Sequence, residues 1–569
     1  MRPTDAWSRL ARLVPWACAL AHAALGLQVL YRAHPSEDAY ILFDYVKNLV
    51  AGHGIVYWPG GPHAEGATDF LWMIAIATLV KLKCDVAVAA VLLNAAGAWL
   101  ASTLCVRAVL RAGVRGPAAF ALALATLVFA FGAGALASYV GFSATAYSAL
   151  ALLLYAWWTD APADRLHVLP WLGLALALFR PDGAFLAAGF TALGLARAHR
   201  EGTLPGFLRA TGLVVVLGAA YLFARWRYFG LVLPLPLYVK GHAAGELPGL
   251  APTLGWMRDG LGAAPLALGI VALAGTGRLL GLAAPRALAL GLMPFALHAL
   301  ALCFAHQSQN FAFRFHAPTH AALFYVLLVL AARACAAAPS AASRVAVSAA
   351  TLACLAPGLG RTLDLYPWTW RQHTYVDSFA PDLGELLPPG RTIALTEAGR
   401  LAYWTRVRVE DIVGLNNPRT ARTPPDLAYL RSIDPDVVMF YASPAVFGFG
   451  RTLGSAREAP VAPLDVDLLR DVPEPRYREV FDQDLPRWTA GVVPGRVASL
   501  KLARFLVESR GYDVYAVRYA SGYEHVWAFR SGLPETAAIL RALRSAAADE
   551  AYRTYAQTAR LPFAQASRP

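Results

Sequence analysis

The stretch Val86-Ala-Val-Ala-Ala-Val-Leu-Leu-Asn-Ala-Ala-Gly-Ala-Trp-Leu-Ala-Ser-Thr-Leu-Cys-Val106 has no charged residue. It is close to the ~20 residues that cross a bilayer as a helix. Ala118–Leu136 and Ala287–Ala305 are comparable runs. Across the chain 57% of residues are hydrophobic and 15% are charged, with a mean hydropathy of +0.45. A soluble protein carries roughly 25% charged residues. The sequence therefore describes an α-helical polytopic membrane protein.

The net charge of +13 does not point to nucleic acid. The arginines form short clusters between apolar runs, as in cytoplasmic membrane loops, and there is no basic stripe with interleaved aromatics. The six cysteines, Cys18, Cys84, Cys105, Cys303, Cys335 and Cys354, show no metal-binding spacing, and none lies beyond Cys354. Leu13–Leu30 follows Arg2, Arg9 and Arg12 but has no clear small-residue cleavage site before Tyr31, so it reads as a retained first helix.

About eleven spans are expected, near 13–31, 86–106, 117–137, 144–159, 168–179, 183–197, 210–227, 263–281, 287–305, 316–333 and 345–360. The short segments 168–179 and 183–197 suggest a hairpin. Arg9 and Arg12 put the N-terminus in the cytoplasm. Arg107, Arg111 and Arg115 join them there only if Phe70–Val80, which is short and followed by Lys81 and Lys83, is an interfacial helix on the outer face. Arg165, Arg197 and Arg200, Arg278 and Arg286, and Arg333 and Arg344 then fall inside. An odd number of spans places the C-terminal part outside.

Two domains follow. Residues 1–361 form the membrane domain, with an outer loop at 32–69, and residues 362–569 form an extracytoplasmic α/β domain. In the latter, Thr392–Leu395, Val437–Tyr441, Val514–Tyr519 and His525–Phe529 read as strands. Asp426–Ser432 and Glu535–Ser545 read as helices. No GxGxxG or P-loop occurs there.

The first outer loop is the most informative for chemistry. Pro35-Ser36 starts a helix with Ser36 as N-cap, and Gly52 ends it. On a helical wheel Leu42, Tyr45, Val46 and Leu49 form an apolar face that also carries Asp38. Glu37 turns toward Tyr40, Asp44 and Lys47. Acids in a first turn interact well with the helix dipole. That accounts for both carboxylates but not for the inward position of Asp38, and ionisable groups at membrane sites tend to be functional.

The loop resembles membrane glycosyltransferases of the GT-C class related to the terminal β-arabinofuranosyltransferase AftB and the flagellar motor control protein ZomB. Their pattern of paired acids, Gly-His-Gly, an acid before glycine and Thr-Asn-Phe-Leu-Trp reads here as Glu37-Asp38-Ala39-Tyr40-Ile41, Gly52-His53-Gly54, Ala64-Glu65-Gly66 and Thr68-Asp69-Phe70-Leu71-Trp72. Further matches run in order: Arg180-Pro181-Asp182-Gly183; Arg227-Tyr228-Phe229-Gly230 with Pro234 and Tyr238-Val239-Lys240; Phe313-Arg314-Phe315 with Pro318; Glu397-Ala-Gly399, Tyr403, Asp411, Gly414-Leu415-Asn416 and Pro435-Asp436-Val437. Three positions depart. Gly141-Phe-Ser143-Ala-Thr145 lacks an acid, and Gly230-Leu231 and Pro234-Leu235-Pro236 replace Gly-Asp and Pro-Asn-Thr. These departures bear on the sugar more than on the reaction.

The resemblance implies transfer of a sugar, with arabinofuranose as one candidate, from a polyprenyl-phosphate donor to an envelope glycan or lipid acceptor. The site would be on the outer face of a bacterial inner (cytoplasmic) membrane. Anomeric configuration would invert. It implies Asp38 as the base, with Glu37 beside it. Arg180, Arg227, Lys240 and Arg314 would meet the donor phosphate. Tyr40, His53, Glu65, Asp69, His306 and Asn310 would contact substrate. No cofactor is implied, and two adjacent acids are a poor signal for a divalent cation.

Plainer roles stand beside these. Arg227 and Lys240 suit interfacial anchors that snorkel to headgroups. Arg180 suits a salt bridge with Asp182. Arg314 follows the polar cluster His306, Gln307, Gln309 and Asn310, which suits a solvated loop. His53 and Glu65 suit a glycine-rich turn, and Trp58 and Trp72 an aromatic membrane belt. Two other functions stay open: a transporter, although no internal repeat is visible, and a non-enzymatic envelope or flagellar factor.

Overall fold

The computed structural model describes residues 3–32, 34–240, 247–259, 263–279, 286–307, 309–369, 374–451, 460–485, 488, 492–518 and 524–548. They fall into two compact units. One comprises Met1–Pro35, Asp69–Ala224 and Glu246–Trp370; the other comprises Ser36–Thr68, Arg225–Gly245 and Arg371–Pro569. The sequence boundary groups the first loop with the membrane helices. Its residues 36–68 instead pack with the C-terminal part.

The first unit is helical. The eleven apolar stretches are mainly helical where described, but among the described residues six helices are long and apolar enough to span a membrane: Ala6–Tyr31, Val86–Arg111, Leu204–Phe229, Arg286–Cys303, Phe311–Ala337 and Ala341–Tyr366. The bent pair Leu250–Arg258 and Ala263–Gly275 would make a seventh. Leu169–Phe179 and Phe70–Lys81 are 11 and 12 residues long, too short to cross unaided. Leu169–Phe179 and Gly183–Arg200 pack as the expected hairpin, with Gly173 against Ala187.

The six spans differ in what covers them. Val86–Arg111 and Phe311–Ala337 are central, with 56% and 61% of their apolar windows buried, against 11% for Leu204–Phe229. The latter exposes Leu213, Val215, Val216 and Phe223. A helix that apolar on its open side requires lipid around it. Central packing relies on small residues and a buried amide. A Cβ on Gly97 would stand 2.7 Å from Ala146 Cα. Asn94 donates to the carbonyls of Ala90 and Phe142 and accepts from the Ala146 amide. Close approach and interhelical hydrogen bonds hold helices together where lipid removes the hydrophobic drive.

The stretch expected to span at 117–137 is interrupted. It runs as Gly116–Leu124, a 3₁₀ turn, Val128–Phe131 and, after Gly132, Ala133–Tyr139. A break in an apolar environment leaves carbonyls to satisfy. Cys18 Sγ bonds the Thr126 carbonyl, His22 Nδ1 donates to the Phe129 carbonyl, and Tyr139 Oη donates to the Ala130 carbonyl.

The second unit is built on a six-stranded mixed sheet of order β2-β1-β3-β6-β5-β4. Its strands are β1 Thr392–Leu395, β2 Arg408–Asp411, β3 Val437–Tyr441, β4 Val461–Pro463, β5 Tyr512–Arg518 and β6 Glu524–Arg530. β2, β1 and β3 run parallel, and β6, β5 and β4 join antiparallel. Leu427–Ile433 and Thr536–Ala548 realise the two expected helices; residue 519 of the expected third strand lies outside the described residues. Val438, Phe440 and Ala528 share a core with Val497 and Leu500 of helix Pro494–Ser509. On the opposite face Trp527 meets Phe379 of helix Tyr375–Leu386 edge-on at 5.1 Å.

The first loop packs onto this unit beyond the carboxyl ends of β1 and β2. Its helix is Glu37–Val50, preceded by extended Ser36 and followed by Gly52 at φ +88°. Tyr57 Oη donates to the Ala398 carbonyl, 2.5 Å away, and Tyr45 Oη donates to Asn416 Oδ1. The wheel gave the helix one apolar face. Here the side bearing Glu37, Tyr40 and Asp44 is covered as well, because residues 397–404 lie against it.

Candidate functional site

In the helical unit a buried charge cluster forms where helix ends meet. Asp69 precedes helix Phe70–Lys81, and its carboxylate accepts from Ser143 Oγ at 2.6 Å. Arg180 ends helix Leu169–Phe179 and lies 3.7 Å from Asp69. Arg180 Nε donates to Asp182 Oδ1 at 3.0 Å, and His298 Nε2 donates to Asp182 Oδ2 at 3.0 Å. The salt bridge weighed from sequence is thus made. The guanidinium also lies over the rings of Tyr147 and Phe315, 5.1 and 5.3 Å from their centroids.

Arg314 joins the same cluster through Phe315. It is buried, its guanidinium carbon 3.5 Å from the Phe142 centroid and 5.1 Å from that of Phe315. Two guanidinium groups therefore flank one aromatic ring. The turn that presents Arg314, Phe311–His316, holds Ala312 and Phe313 at φ +48° and +53°. Left-handed backbone at a bulky residue costs on the order of 1–3 kcal/mol and persists only where the surroundings enforce it. Asn310 does so: its Oδ1 accepts from the Phe315 amide at 2.9 Å, and its Nδ2 donates to Gln307 Oε1 and to His316 Nδ1. Gln307 is tied in turn to the Gly249 and Leu302 carbonyls and to Thr253 Oγ1. Asn310 shapes the turn, while His306 is half-buried beside it.

In the second unit Glu37 is fully engaged. Its carboxylate accepts from the amides of Gly399 and Arg400 and lies 3.6 Å from Arg400 Nη1. Asp38 follows it in the first turn, partly exposed. Tyr40 is buried against Tyr403, ring centroids 5.2 Å apart. Asp44 is buried and paired with Lys47 at 2.8 Å, and burial pushes its carboxyl up to about 6. Glu65 is buried and ion-paired with Arg225. His53 is exposed, and so is Arg227. Lys240 ends helix Leu235–Lys240, and its side chain lies outside the described residues.

The proposed phosphate ligands therefore divide. Arg180 and Arg314 share one ring, with Asp69 alongside, whereas Arg227 belongs to the other unit. Ser143 and His298 were not picked out as site residues from sequence. Ser143 had a signal, since it occupies the motif that departs from the family pattern. His298, inside an apolar helix, had none. Among the described residues no group of three or more His, Cys, Asp or Glu is placed to hold a metal ion.

Residues 368–552 match a family model described as a domain of unknown function, DUF8728. No curated protein matches the chain. Among solved structures it is similar to ArnT from Cupriavidus metallidurans bound to undecaprenyl phosphate, at 13% identity and a TM-score of 0.49, over 80% of this chain and 96% of that one. The apo state of the same protein gives 14% identity and a TM-score of 0.48, over 78% and 94%.

Proposed function

We propose that this protein is a membrane glycosyltransferase that takes a sugar from a polyprenyl-phosphate donor. The observation that carries the reading is the buried pair Arg180 and Arg314 around Phe315 within the helical unit. Burying arginine among apolar helices is costly, and such residues as a rule serve a substrate or ion path. A guanidinium over a ring is held through its face, while its N–H donors lie in its own plane, a geometry that suits phosphate oxygens. The glycosyltransferase resemblance of the loop motifs supports the same class, and it alone supplies arabinofuranose and an envelope acceptor on the outer face.

In this reading the acceptor hydroxyl gives its proton to a carboxylate as its oxygen attacks the anomeric carbon. The bond from that carbon to the phosphate oxygen breaks on the opposite side, inverting the configuration. The lipid phosphate leaves as an anion, a charge that cationic donors stabilise. Asp38 is the proposed proton acceptor, chosen on the first-loop sequence.

The test uses the full chain in nanodiscs with a panel of polyprenyl-phosphate sugars, reading sugar transfer and donor hydrolysis by mass spectrometry. Wild type should turn over at least one donor. Arg314→Ala should lose about 10²–10³ in rate, the usual cost of removing one transition-state donor. Folded Asp38→Asn should be inactive. A folded wild type that neither binds nor turns over any donor overturns the proposal.

A further inference from the structure

The second unit holds a charge cluster that the proposed chemistry does not use. Arg400 is buried and meets three carboxylates: Nε lies 2.6 Å from Asp377 Oδ1, and Nη1 lies 3.6 Å from both Glu397 Oε1 and Glu37 Oε2. Asp377 comes from helix Tyr375–Leu386, Glu397 from the end of β1, and Glu37 from the first turn of the loop helix. Packing at this point leaves no slack. A Cβ on Gly399 would collide with the Glu37 carbonyl oxygen.

We propose that Arg400, together with Glu397 and Asp377, is a positioning group that clamps the first turn of helix Glu37–Val50, so that the C-terminal domain fixes the placement of Asp38. The inference rests on the glycosyltransferase reading for its catalytic consequence, but not for the clamp itself. Glu37 and Asp38 are adjacent on the first turn. Whatever fixes Glu37 fixes the Asp38 backbone, and a misplacement of about 1 Å in a catalytic group costs on the order of 10²-fold in rate.

The clamp has a pH dependence whose sign follows from its charges. The groups facing it are Glu37, Asp38, Tyr40 and Lys47 from the loop helix, Tyr375 and Asp377 from the following helix, Glu397 and Tyr403 from the segment after β1, and His525 from β6. Three carboxylates surround one guanidinium, so the full set of charges is unfavourable in a buried place. Burial pushes Glu37 up, and the Arg400 charge offsets this in part. Burial and the neighbouring Glu37 carboxylate push Glu397 further up. A carboxyl raised in the docked state binds more protons docked than undocked. Docking is therefore at full strength below the ordinary glutamate range and weakens as pH rises through the raised values.

The experiment uses the full chain in nanodiscs with two readouts: hydrogen exchange of the amides in 37–50, corrected for intrinsic rates, and steady-state transfer. Exchange of 37–50 should speed up from mildly acidic to mildly alkaline pH in wild type, and Glu397→Gln, which keeps the shape but cannot ionise, should flatten that dependence. Arg400→Gln should release 37–50 at every pH while leaving Val86–Arg111 protected. It should lower kcat about 10²-fold with the donor KM unchanged, and Arg400→Lys should recover part of the loss. Unchanged exchange of 37–50 in Arg400→Gln, or a pH response in Glu397→Gln equal to wild type, overturns the clamp. A released helix with unchanged kcat overturns positioning. A wild type without transfer sinks the glycosyltransferase reading, while the exchange data still decide the clamp.

Discussion

Arg400 and Arg314 are both buried arginines, yet their surroundings are opposite in kind. Arg400 is enclosed by carboxylates from three separate segments, and Arg314 lies on the faces of two phenylalanines. Around Arg400 carboxyl groups outnumber the guanidinium they share. Around Arg314 and Arg180 two guanidinium groups stand with Asp69 and Asp182. A cation closed in by acids is a fastener. A cation laid on rings is held by their quadrupoles rather than by charge pairing with them.

The comparison breaks most easily at Arg400. Arg400→Met removes the guanidinium that Asp377, Glu397 and Glu37 share, and breaking a buried pair in this way costs about 3–5 kcal/mol. Denaturant unfolding of the C-terminal domain should show a loss of that size at neutral pH, smaller in acid where the carboxyls are protonated. A variant as stable as wild type at neutral pH would mean that none of the three carboxyls depends on the Arg400 charge, and the contrast with Arg314 would vanish.

A smaller effect sharpens the other side. Asn310→Ala removes the side chain that fixes the left-handed residues Ala312 and Phe313 and so presents Arg314. Leaving the buried partners Gln307 and His316 short of a hydrogen bond costs about 1–3 kcal/mol. Thermal unfolding should register that loss, and donor turnover should fall because Arg314 is displaced. If turnover falls while stability stays at the wild-type value, Asn310 touches substrate directly and the turn is held by something else.

These two regions also differ in how far they could be read from sequence. The apolar runs declared the helices, because a span is a local, continuous signal. The break at Gly132 was hidden, since the polar groups that repair it, Cys18, His22 and Tyr139, are supplied partly from more than a hundred residues away. Four of six strands were legible as β-branched or aromatic runs. β2 was not, because it ends in Glu410 and Asp411, whose buried carboxylates are satisfied by Arg408, Asn417, Tyr429, the Asn416 side chain and the amides of Val413, Gly414 and Asn416. β4 is a three-residue edge. In the candidate site, Arg180 and Arg314 were marked by the Arg180-Pro181-Asp182-Gly183 and Phe313-Arg314-Phe315 motifs of the resemblance. Arg400 could not: nothing local to it announces a partner in Glu37, more than 360 residues earlier, and the wheel therefore left the Glu37 side of the loop helix open.

The smallest effect is expected at His53, in the same loop but beyond the clamped helix. The turn around it is made by the backbone and by Asn48. The His53 amide donates to the Asn48 carbonyl, Asn48 Nδ2 donates to the Val56 carbonyl, and Gly52 and Gly54 take φ +88° and +84°. The imidazole is exposed and plays no part in that construction. His53→Ala should change stability by no more than about 0.5 kcal/mol, as exposed substitutions do, and should leave donor kinetics as they are. The informative quantity is the acceptor KM. An unchanged value makes His53 a turn residue and confines the loop's chemistry to the clamped first turn. A rise of about tenfold, equal to about 1.4 kcal/mol, would make the imidazole an acceptor contact and extend the working surface of the loop past the segment that Arg400 holds.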